Sequence, residues 1–336
     1  MTILITGATG FIALHIIQQL LEQNYKVIGT VRSSTKGDDL ITKFNNSNFQ
    51  YEIVSDLTNS QEFNEIFSKN KGIKTVIHTA SGVTVTNEVE KYLLEPAVKG
   101  TTTILNSIKN HASGLENFVF TSSVGALNTP GQDGKGIYRD ESTWNTTTWE
   151  QSKIHPLLAY CFAKAEAERL VWKFSKENEN INVTVINPSF VFGPQVFQSS
   201  VSKTLNSSNE LITTILKDGE SYNKVQGHFI DVRDVAKAHL YAFTKPEVFG
   251  KRLVLIDDHF TEQSIIDSLN KQFPVLQGKI SKGDESRKRD VVYQDKNVIN
   301  TEKTKKLLGF KYISLDESLK DTIQQILDAK VFNEFE

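Results

Sequence analysis

The sequence has little of several features that would place the protein in a specialised class. One cysteine among 336 residues excludes an internal disulfide. No apolar run approaches the about 18 residues that a membrane span requires, and the first apolar strand begins at Thr2, without room for a secretion signal. The net charge of -2 is spread without large blocks, so no basic surface for nucleic acid is indicated. We therefore expect a globular cytoplasmic protein with neither nucleic-acid nor membrane partners.

The sequence also lacks a metal-ligand pattern. His78, His155 and His228 do not have the spacing of ligands to one metal ion, and Cys161 is expected to pack beside its neighbour Tyr160. The lysine-rich tract over residues 279–306 carries interleaved acids, which is typical of a solvated surface. We expect no metal cofactor, and the oligomeric state is left open.

A glycine turn joins the first predicted strand, residues 3–5, to a predicted helix that starts near residue 11. Gly7 and Gly10 allow a tight turn and a close approach to a pyrophosphate, which the free N–H groups and positive dipole of the helix start would bind. The turn thus predicts a dinucleotide site with contacts from Gly7, Thr9, Gly10, Phe11 and Ile12. The alternative is an ordinary strand-to-helix connection. His15 shares the polar face of this helix with two glutamines, so we predict that it is solvated.

The second predicted strand, residues 26–31, is followed by Arg32. NAD-binding proteins of this architecture place an acidic residue there to hold the ribose hydroxyls, and here no carboxylate is present. The guanidinium of arginine is a rigid fork that suits phosphate, so Arg32, assisted by Lys36, predicts the 2′-phosphate of NADP. The alternative is that Arg32 is an ordinary surface residue.

Strands and helices continue to alternate, with further strands predicted at residues 51–54, 74–79 and 117–120. Such alternation is typical of an α/β fold with a Rossmann-like, doubly wound parallel sheet. Ligands of these folds bind beyond the carboxyl ends of the strands, which gives a set of candidates to flank adenine and ribose. They are Asp56, Leu57, Thr79, Ala80 and Ser81. Capping of the following helix would explain Asp56 equally well.

Tyr160 and Lys164 lie one helical turn apart, within a stripe of apolar residues that recurs at the helical period up to Phe174. A lysine that faces the core is rare unless it has a partner. A cation about 5 Å from a phenol lowers the pKa of the phenol by ~2 units at an effective dielectric constant of ~20. The second pair with this spacing, Tyr241 and Lys245, falls off its own apolar stripe. We therefore predict that Tyr160 and Lys164 form an acid site suited to carbonyl reduction.

Motifs spread over most of the chain resemble extended short-chain dehydrogenases/reductases. In chain order they are residues 6–13, Thr121-Ser122-Ser123, Tyr160 to Lys164 and residues 187–194. Segments 96–100 and 229–239 are similar to the dihydroflavonol-reductase-like branch, and within it the chain is most similar to fungal NADPH-dependent methylglyoxal and 3-methylbutanal reductases. This resemblance implies further cofactor contacts from Tyr160, Lys164, Pro188 and Val191.

The resemblance also implies roles for the site residues. Ser123, with Ser122 as the alternative, would hydrogen-bond the substrate carbonyl, Tyr160 would be the acid, and Lys164 would bind ribose and lower the pKa of the phenol. Ala97 stands where many relatives have an asparagine of a proton relay, so the route of proton supply is left open. The residues that would line a roomy and weakly selective substrate pocket are Val83, Ser123, Val124, Tyr160 and Phe190.

The same resemblance implies that the chain has two parts. Residues 1–190, completed by about 228–257, would form the NADP-binding Rossmann domain, and residues 191–227 with 258–336 would form a smaller C-terminal substrate-binding lobe. We predict an NADPH-dependent reductase of aldehydes and ketones, including methylglyoxal, 3-methylbutanal and bulkier ketones. The alternatives are an NAD(P)-dependent nucleotide-sugar epimerase or hydroxysteroid dehydrogenase on the same scaffold. A non-catalytic NADP-sensing module would have no need of an inward Lys164.

Overall fold

The structure, a computed structural model, describes residues 1–81, 94–132, 137–205, 208–217, 222–293 and 299–332. Its strands are β1 (Thr2–Thr6), β2 (Lys26–Val31), β3 (Phe49–Ile53), β4 (Ile73–His78), β5 (Asn117–Thr121), β6 (Asn182–Pro188), β7 (Phe190–Phe192), β8 (Gln226–Asp231), β9 (Arg252–Leu255) and β10 (Asp258–Thr261). Its α-helices are α1 (Phe11–Glu22), α2 (Ser34–Phe44), α3 (Ser60–Lys69), α4 (Glu95–His111), α5 (Trp149–Ser152), α6 (Pro156–Glu177), α7 (Asn209–Lys217), α8 (Val232–Thr244), α9 (Glu262–Gln272), α10 (Arg289–Tyr293), α11 (Glu302–Leu308) and α12 (Leu315–Asp328). None of the helices in these ranges is long and apolar enough to cross a membrane.

The large sheet has seven strands in the order β3-β2-β1-β4-β5-β6-β9, and all its pairs are parallel. Successive side chains of a strand point to opposite faces, so Ile3 and Ile5 pack with α1 and α8, whereas Leu4 packs with α3, α4 and α6. The order reverses between β1 and β4, and the connections that follow these two strands lead to helices on opposite faces of the sheet, which leaves a crevice at their carboxyl ends. The predicted α/β, doubly wound, Rossmann-like fold is confirmed.

A second sheet of three strands, in the order β10-β8-β7, begins directly after β6. It has a hydrophobic core of its own, to which α7, α9 and α12 contribute. The segment predicted to return to the dinucleotide-binding part divides here, because β8 joins the small sheet while α8 packs on α1 and β9 completes the large sheet. Phe229 faces the core of the small sheet and Ile230 faces that of the large one, so β8 is apolar on both sides and its sequence does not reveal its partner strands.

The prediction that His15 is solvated is wrong. Its side chain is buried, and its Nε2 lies 2.9 Å from the carbonyl oxygen of Pro194. Burial lowers the pKa of His15 to about 4, so the neutral ring donates its Nε2–H to that carbonyl. The chain after β7 covers the polar face of α1, and the helical period of α1 contains no sign of this distant segment.

Candidate active site

A cavity of about 240 Å³ opens at the crevice where the strand order reverses. It is bounded by the glycine turn after β1, the residues that follow β4 and β5, the middle of α6 and the chain between β6 and β7. Its lining residues are Gly7, Gly10, Phe11, Ile12, Ala13, Thr79, Ser81, Thr121, Ser122, Ser123, Tyr160, Lys164, Pro188, Ser189, Val191 and Ser208. The structure thus brings the predicted glycine, serine and tyrosine-lysine motifs to one cavity.

The glycine turn leaves no space for side chains on its inner side. Gly7 has a φ of +70°, which favours glycine, and a Cβ on it would lie 3.1 Å from Cα of Ala80. A Cβ on Gly10, which is the N-cap residue of α1, would lie 3.2 Å from the carbonyl oxygen of Gly7. No side chain caps the start of α1, so its first N–H groups face the crevice as donors for an anion. Thr9 is exposed at the tip of the turn.

Arg32 and Lys36 lie outside the cavity lining, at the carboxyl end of β2 and in the first turn of α2. Both side chains are exposed, and neither forms an ion pair or hydrogen bond with another described residue. The first turn of α2 carries no acidic residue. The two cations and the amino-terminal end of α2 therefore create a positive potential at one end of the crevice.

The other predicted adenine and ribose contacts divide between two places. Leu57, Ala80 and Ser81 line a smaller cavity of about 10 Å³ that reaches Lys164 from the side of β4 and α4. Asp56 is exposed, and its carboxylate accepts hydrogen bonds from the N–H and the Oγ1 of Thr58, at 2.8 and 2.9 Å. Asn59, not Asp56, caps α3, so the capping alternative for Asp56 is wrong.

Tyr160 and Ser123 meet at the wall of the large cavity. The phenol of Tyr160 is hydrogen-bonded to the side chain of Ser123, whose Oγ also accepts the Gly125 N–H at 3.1 Å. The Lys164 Nζ lies 6.0 Å from the centre of the Tyr160 ring and donates to the carbonyl oxygen of Thr121 at 3.4 Å. A phenol, a hydroxyl and a buried ammonium thus face one cavity in an arrangement that can donate hydrogen bonds and a proton to a carbonyl oxygen.

Ser122 faces the other way. Its Oγ donates to Oε2 of Glu168 at 2.7 Å, in the interior behind the cavity. Of the two serines that the sequence left as alternatives, Ser123 is the one hydrogen-bonded to Tyr160.

Residues 3–256 match the sequence profile of the NAD dependent epimerase/dehydratase family. The chain belongs to this family. It is 42% identical to the NADPH-dependent methylglyoxal reductase of Saccharomyces cerevisiae, over 97% of this chain and 98% of that protein. The crystal structure of Gre2 from Candida albicans in complex with NADPH is similar with a TM-score of 0.94 and 41% identity, over 98% of this chain and 99% of that chain. That of yeast methylglyoxal/isovaleraldehyde reductase Gre2 complexed with NADPH gives 0.93 and 41%, over 98% of each chain.

The pKa of Tyr160 is shifted in the direction opposite to the one predicted from the family's tyrosine-lysine spacing. Burial raises it above the ordinary value near 10, and the hydrogen bond with Ser123 opposes this only in part. Burial also lowers the pKa of Lys164 to about 8, while the charge of Glu168 acts to raise it. The spacing revealed the nearby cation, but the cost of burying a phenolate depends on the whole surroundings of the ring. At neutral pH the phenol is therefore protonated and the lysine is largely charged.

The predicted substrate-pocket residues are only partly brought together. Ser123 and Tyr160 line the cavity of this family member, whereas Val124 and Phe190 do not. Phe190 lies beside it on β7, 39% exposed, with its ring in edge contact with Phe260 at 5.4 Å. Val83 lies outside the described residues.

Sequence reasoning missed a layer of buried polar residues behind the cavity. His239 holds Thr121 at 2.7 Å through its Nε2, and its Nδ1 donates to the carbonyl oxygen of Val235 at 2.8 Å. Burial lowers the pKa of His239 to about 4, so this ring is neutral and its Nε2 accepts a hydrogen bond from the Thr121 hydroxyl. Glu168 carries the one local signal that could have been used, since it follows Lys164 by one helical turn on the same face.

Proposed function

We propose that this protein is an NADPH-dependent reductase of aldehydes and ketones, with methylglyoxal and 3-methylbutanal among its substrates. The observation that carries the proposal is the hydrogen bond between Tyr160 and Ser123 at the cavity wall, with the Lys164 ammonium buried beside them. The similarity to reductases that bind NADPH and act on methylglyoxal and isovaleraldehyde supports the same reaction.

The residues present fit NADPH. The glycine turn and the uncapped start of α1 would hold the pyrophosphate, because the glycines allow the tight turn against Ala80 and no side chain occupies the first N–H groups of α1. Arg32 and Lys36 would hold the 2′-phosphate, for which their guanidinium and ammonium are available. Leu57 and Ala80 would flank adenine, and Pro188 and Val191 would border the nicotinamide. When bound, NADPH supplies the hydride for the reduction.

The protein's own side chains would stabilise the charge on the carbonyl oxygen and supply its proton. Ser123 and Tyr160 donate hydrogen bonds to the carbonyl oxygen as negative charge grows on it, and each such contact contributes about 2 to 4 kcal/mol in comparable sites. The phenol then gives its proton to that oxygen, which completes the alcohol. The raised pKa of Tyr160 keeps the phenol loaded with its proton, and the Lys164 ammonium stabilises the phenolate left behind.

We assign the small sheet and the helices around it to the substrate side. Residues 191–227 and 258–336, together with β8, would form the substrate-binding lobe, and residues 1–190 with α8 and β9 the NADP-binding domain. Phe190 lies at the edge of the cavity, where the two parts meet, and would contact the substrate. A boundary of this apolar kind separates substrates that differ by a methylene by only ~1 to 3 kcal/mol, so broad acceptance of branched aldehydes and bulkier ketones is expected.

The test is the substitution Tyr160→Phe, followed by NADPH oxidation with methylglyoxal, 3-methylbutanal, a diketone and a bulky aryl ketone. The ring stays and its proton is lost, so kcat should fall by about 100-fold or more while the Kd for NADPH stays nearly constant. Tyr241→Phe is the matched control, because Tyr241 also has a lysine over its ring, Lys245 at 3.9 Å, but packs against Phe310 away from the cavity. If both variants reduced carbonyls as well as the parent, the proposed acid would be wrong.

A further inference from the structure

The side chain of Glu168 is fully buried behind the active site and holds four other side chains. Its Oε2 accepts hydrogen bonds from Ser122 Oγ at 2.7 Å, Asn187 Nδ2 at 2.8 Å and Arg252 Nη2 at 3.3 Å. Its Oε1 accepts the Trp172 Nε1–H at 3.0 Å and lies 2.5 Å from Arg252 Nε. A buried carboxylate with this many donors, one of them the Arg252 guanidinium, is held in one position.

The partner Arg252 is also buried, at the start of β9. Its Nη1 donates to the carbonyl oxygens of Glu141 and Thr143 at 3.0 and 2.6 Å, and its guanidinium lies 4.2 Å from the centre of the Trp144 ring. The pair therefore joins α6 to the far edge of the large sheet and to the loop that precedes α5.

The contacts of Glu168 lead directly to the proposed catalytic serine. Asn187, which bonds Glu168, also donates through Nδ2 to the backbone carbonyl oxygen of Ser123 at 3.1 Å. Ser122 is turned inward by its bond to Glu168, so the alternation of the extended chain turns Ser123 outward to Tyr160. The Glu168 carboxylate thus holds both Ser122 and Asn187. These two residues in turn fix the backbone of Ser123, on which the orientation of its hydroxyl depends.

Glu168 also lies one turn from Lys164 on the same face of α6. The other titratable groups that face Lys164 are Tyr160 from its own helix and His78 from β4, and burial lowers the pKa of His78 to about 3, so that ring is neutral. The described residues of α4 and β5 next to Lys164 contribute no titratable side chain. Glu168 acts to raise the pKa of Lys164 against the effect of burial.

We infer that Glu168, paired with Arg252, is a positioning residue of the active site that orients Ser123 through Ser122 and Asn187 and provides the counter-charge for the Lys164 ammonium. This inference rests on the proposed function for its effect on the rate. The buried ion pair would thus act on the reaction from the interior behind the cavity, without touching the substrate.

The test compares Glu168→Gln with the parent in full-length protein. Loss of the charge should lower the pKa of Lys164, and the pH above which kcat declines should fall by about one unit. The KM and Kd for NADPH should change less than twofold, because the phosphate contacts are untouched. Glu168→Asp keeps the charge with a shorter reach, so its kcat should drop while its pH profile stays close to that of the parent. Glu166→Gln, on the exposed face of the same helix and paired with Arg169 at 2.6 Å, is the matched control and should change neither.

A direct titration separates this inference from the proposed function. The ¹⁵N resonance of the Lys164 Nζ, assigned with Lys164→Met, reports the pKa of the ammonium whether or not a carbonyl is reduced. A lower pKa in Glu168→Gln supports the counter-charge role, and an unchanged pKa together with an unchanged pH profile of kcat overturns it. An inactive parent protein would instead refute the proposed reductase.

If Glu168 had a purely structural role, Glu168→Gln would lower stability without changing the pH profile of kcat or the titration of Lys164. Thermal unfolding of the same samples measures that loss of stability. If Glu168→Gln does not fold, Asn187→Ala tests the positioning chain alone, because it removes the bond to the Ser123 carbonyl and keeps the charge of Glu168. Its kcat should fall about tenfold at unchanged pH dependence and unchanged Kd for NADPH. A kcat within twofold of the parent would overturn the positioning role.

Discussion

Replacing Gly125 by alanine would test the spacing of the proposed catalytic groups by a single methyl group. Gly125 lies in a short 3₁₀ helix, Val124–Ala126, and its N–H donates to Ser123 Oγ. A Cβ there would lie 3.2 Å from both Cys161 Sγ and Tyr160 Cε1, and 3.4 Å from Ser123 Oγ. The φ of Gly125 is not in the left-handed region, so an alanine adopts this backbone and the only penalty comes from crowding.

The size of the effect follows from these distances. Non-bonded carbon atoms are most stable about 3.5 to 4.0 Å apart, so Cys161 Sγ and Tyr160 Cε1 must move by roughly 0.3 to 0.5 Å, whereas Ser123 Oγ is already at an ordinary contact distance. Overpacking of this kind costs about 1 to 3 kcal/mol of stability. Since a misplacement of about 1 Å can cost about 100-fold in rate, a few tenths of an ångström should lower kcat roughly three- to tenfold. The Kd for NADPH should change little, because neither the glycine turn nor Arg32 is touched.

The assay is kcat for 3-methylbutanal together with the Tm and the Kd for NADPH. Cys161→Ala removes one of the crowded atoms, so the double variant should recover part of the lost rate relative to Gly125→Ala, with Cys161→Ala alone as the reference for the double-mutant cycle. Gly114→Ala is the control for a new methyl group, because its nearest neighbour would be 3.8 Å away at Lys74 Nζ. Unchanged kcat and Tm in Gly125→Ala, or no recovery in the double variant, would refute the packing of Ser123, Tyr160 and Cys161 described above.

Two further outcomes are expected. Arg32 should favour NADPH over NADH by about 2 to 3 kcal/mol, so Arg32→Glu should erase or reverse the ratio of kcat/KM for the two cofactors, and an unchanged ratio would place the phosphate elsewhere. Burial raises the pKa of Asp234 from 3.8 to about 7, so between about pH 4 and 7 this carboxyl is more protonated in the folded chain than in the unfolded one, and its contribution to stability falls as pH rises. Asp234→Asn keeps an acceptor for the Ile313 N–H, now 2.7 Å from the carboxylate, and should gain up to about 1.4 kcal/mol per pH unit on the parent over this range. Parallel stability curves from urea unfolding would contradict this assignment.

The sequence by itself determined the features that depend on a few neighbouring residues. The apolar strand at residues 26–31, the glycine turn after the first strand and the shared helix face of Tyr160 and Lys164 all follow from local periods and from the conformational freedom of glycine. The parallel, doubly wound sheet followed from the alternation of such elements, because parallel strands need helical crossovers between them.

Only the tertiary structure decided which distant groups surround each element. It placed β8 in the small sheet, covered His15 with Pro194, and brought Arg252 to Glu168 across 84 residues of chain. It also reversed the expected shift in the pKa of Tyr160, because the spacing in the sequence fixes the position of the nearest cation but not the number of water molecules excluded from the ring. Ser122 and Ser123 were equivalent in the sequence and became distinct only when a buried carboxylate accepted a hydrogen bond from one of them. Burial and charge pairing are properties of segments that meet in space, so no local pattern in the chain carries them.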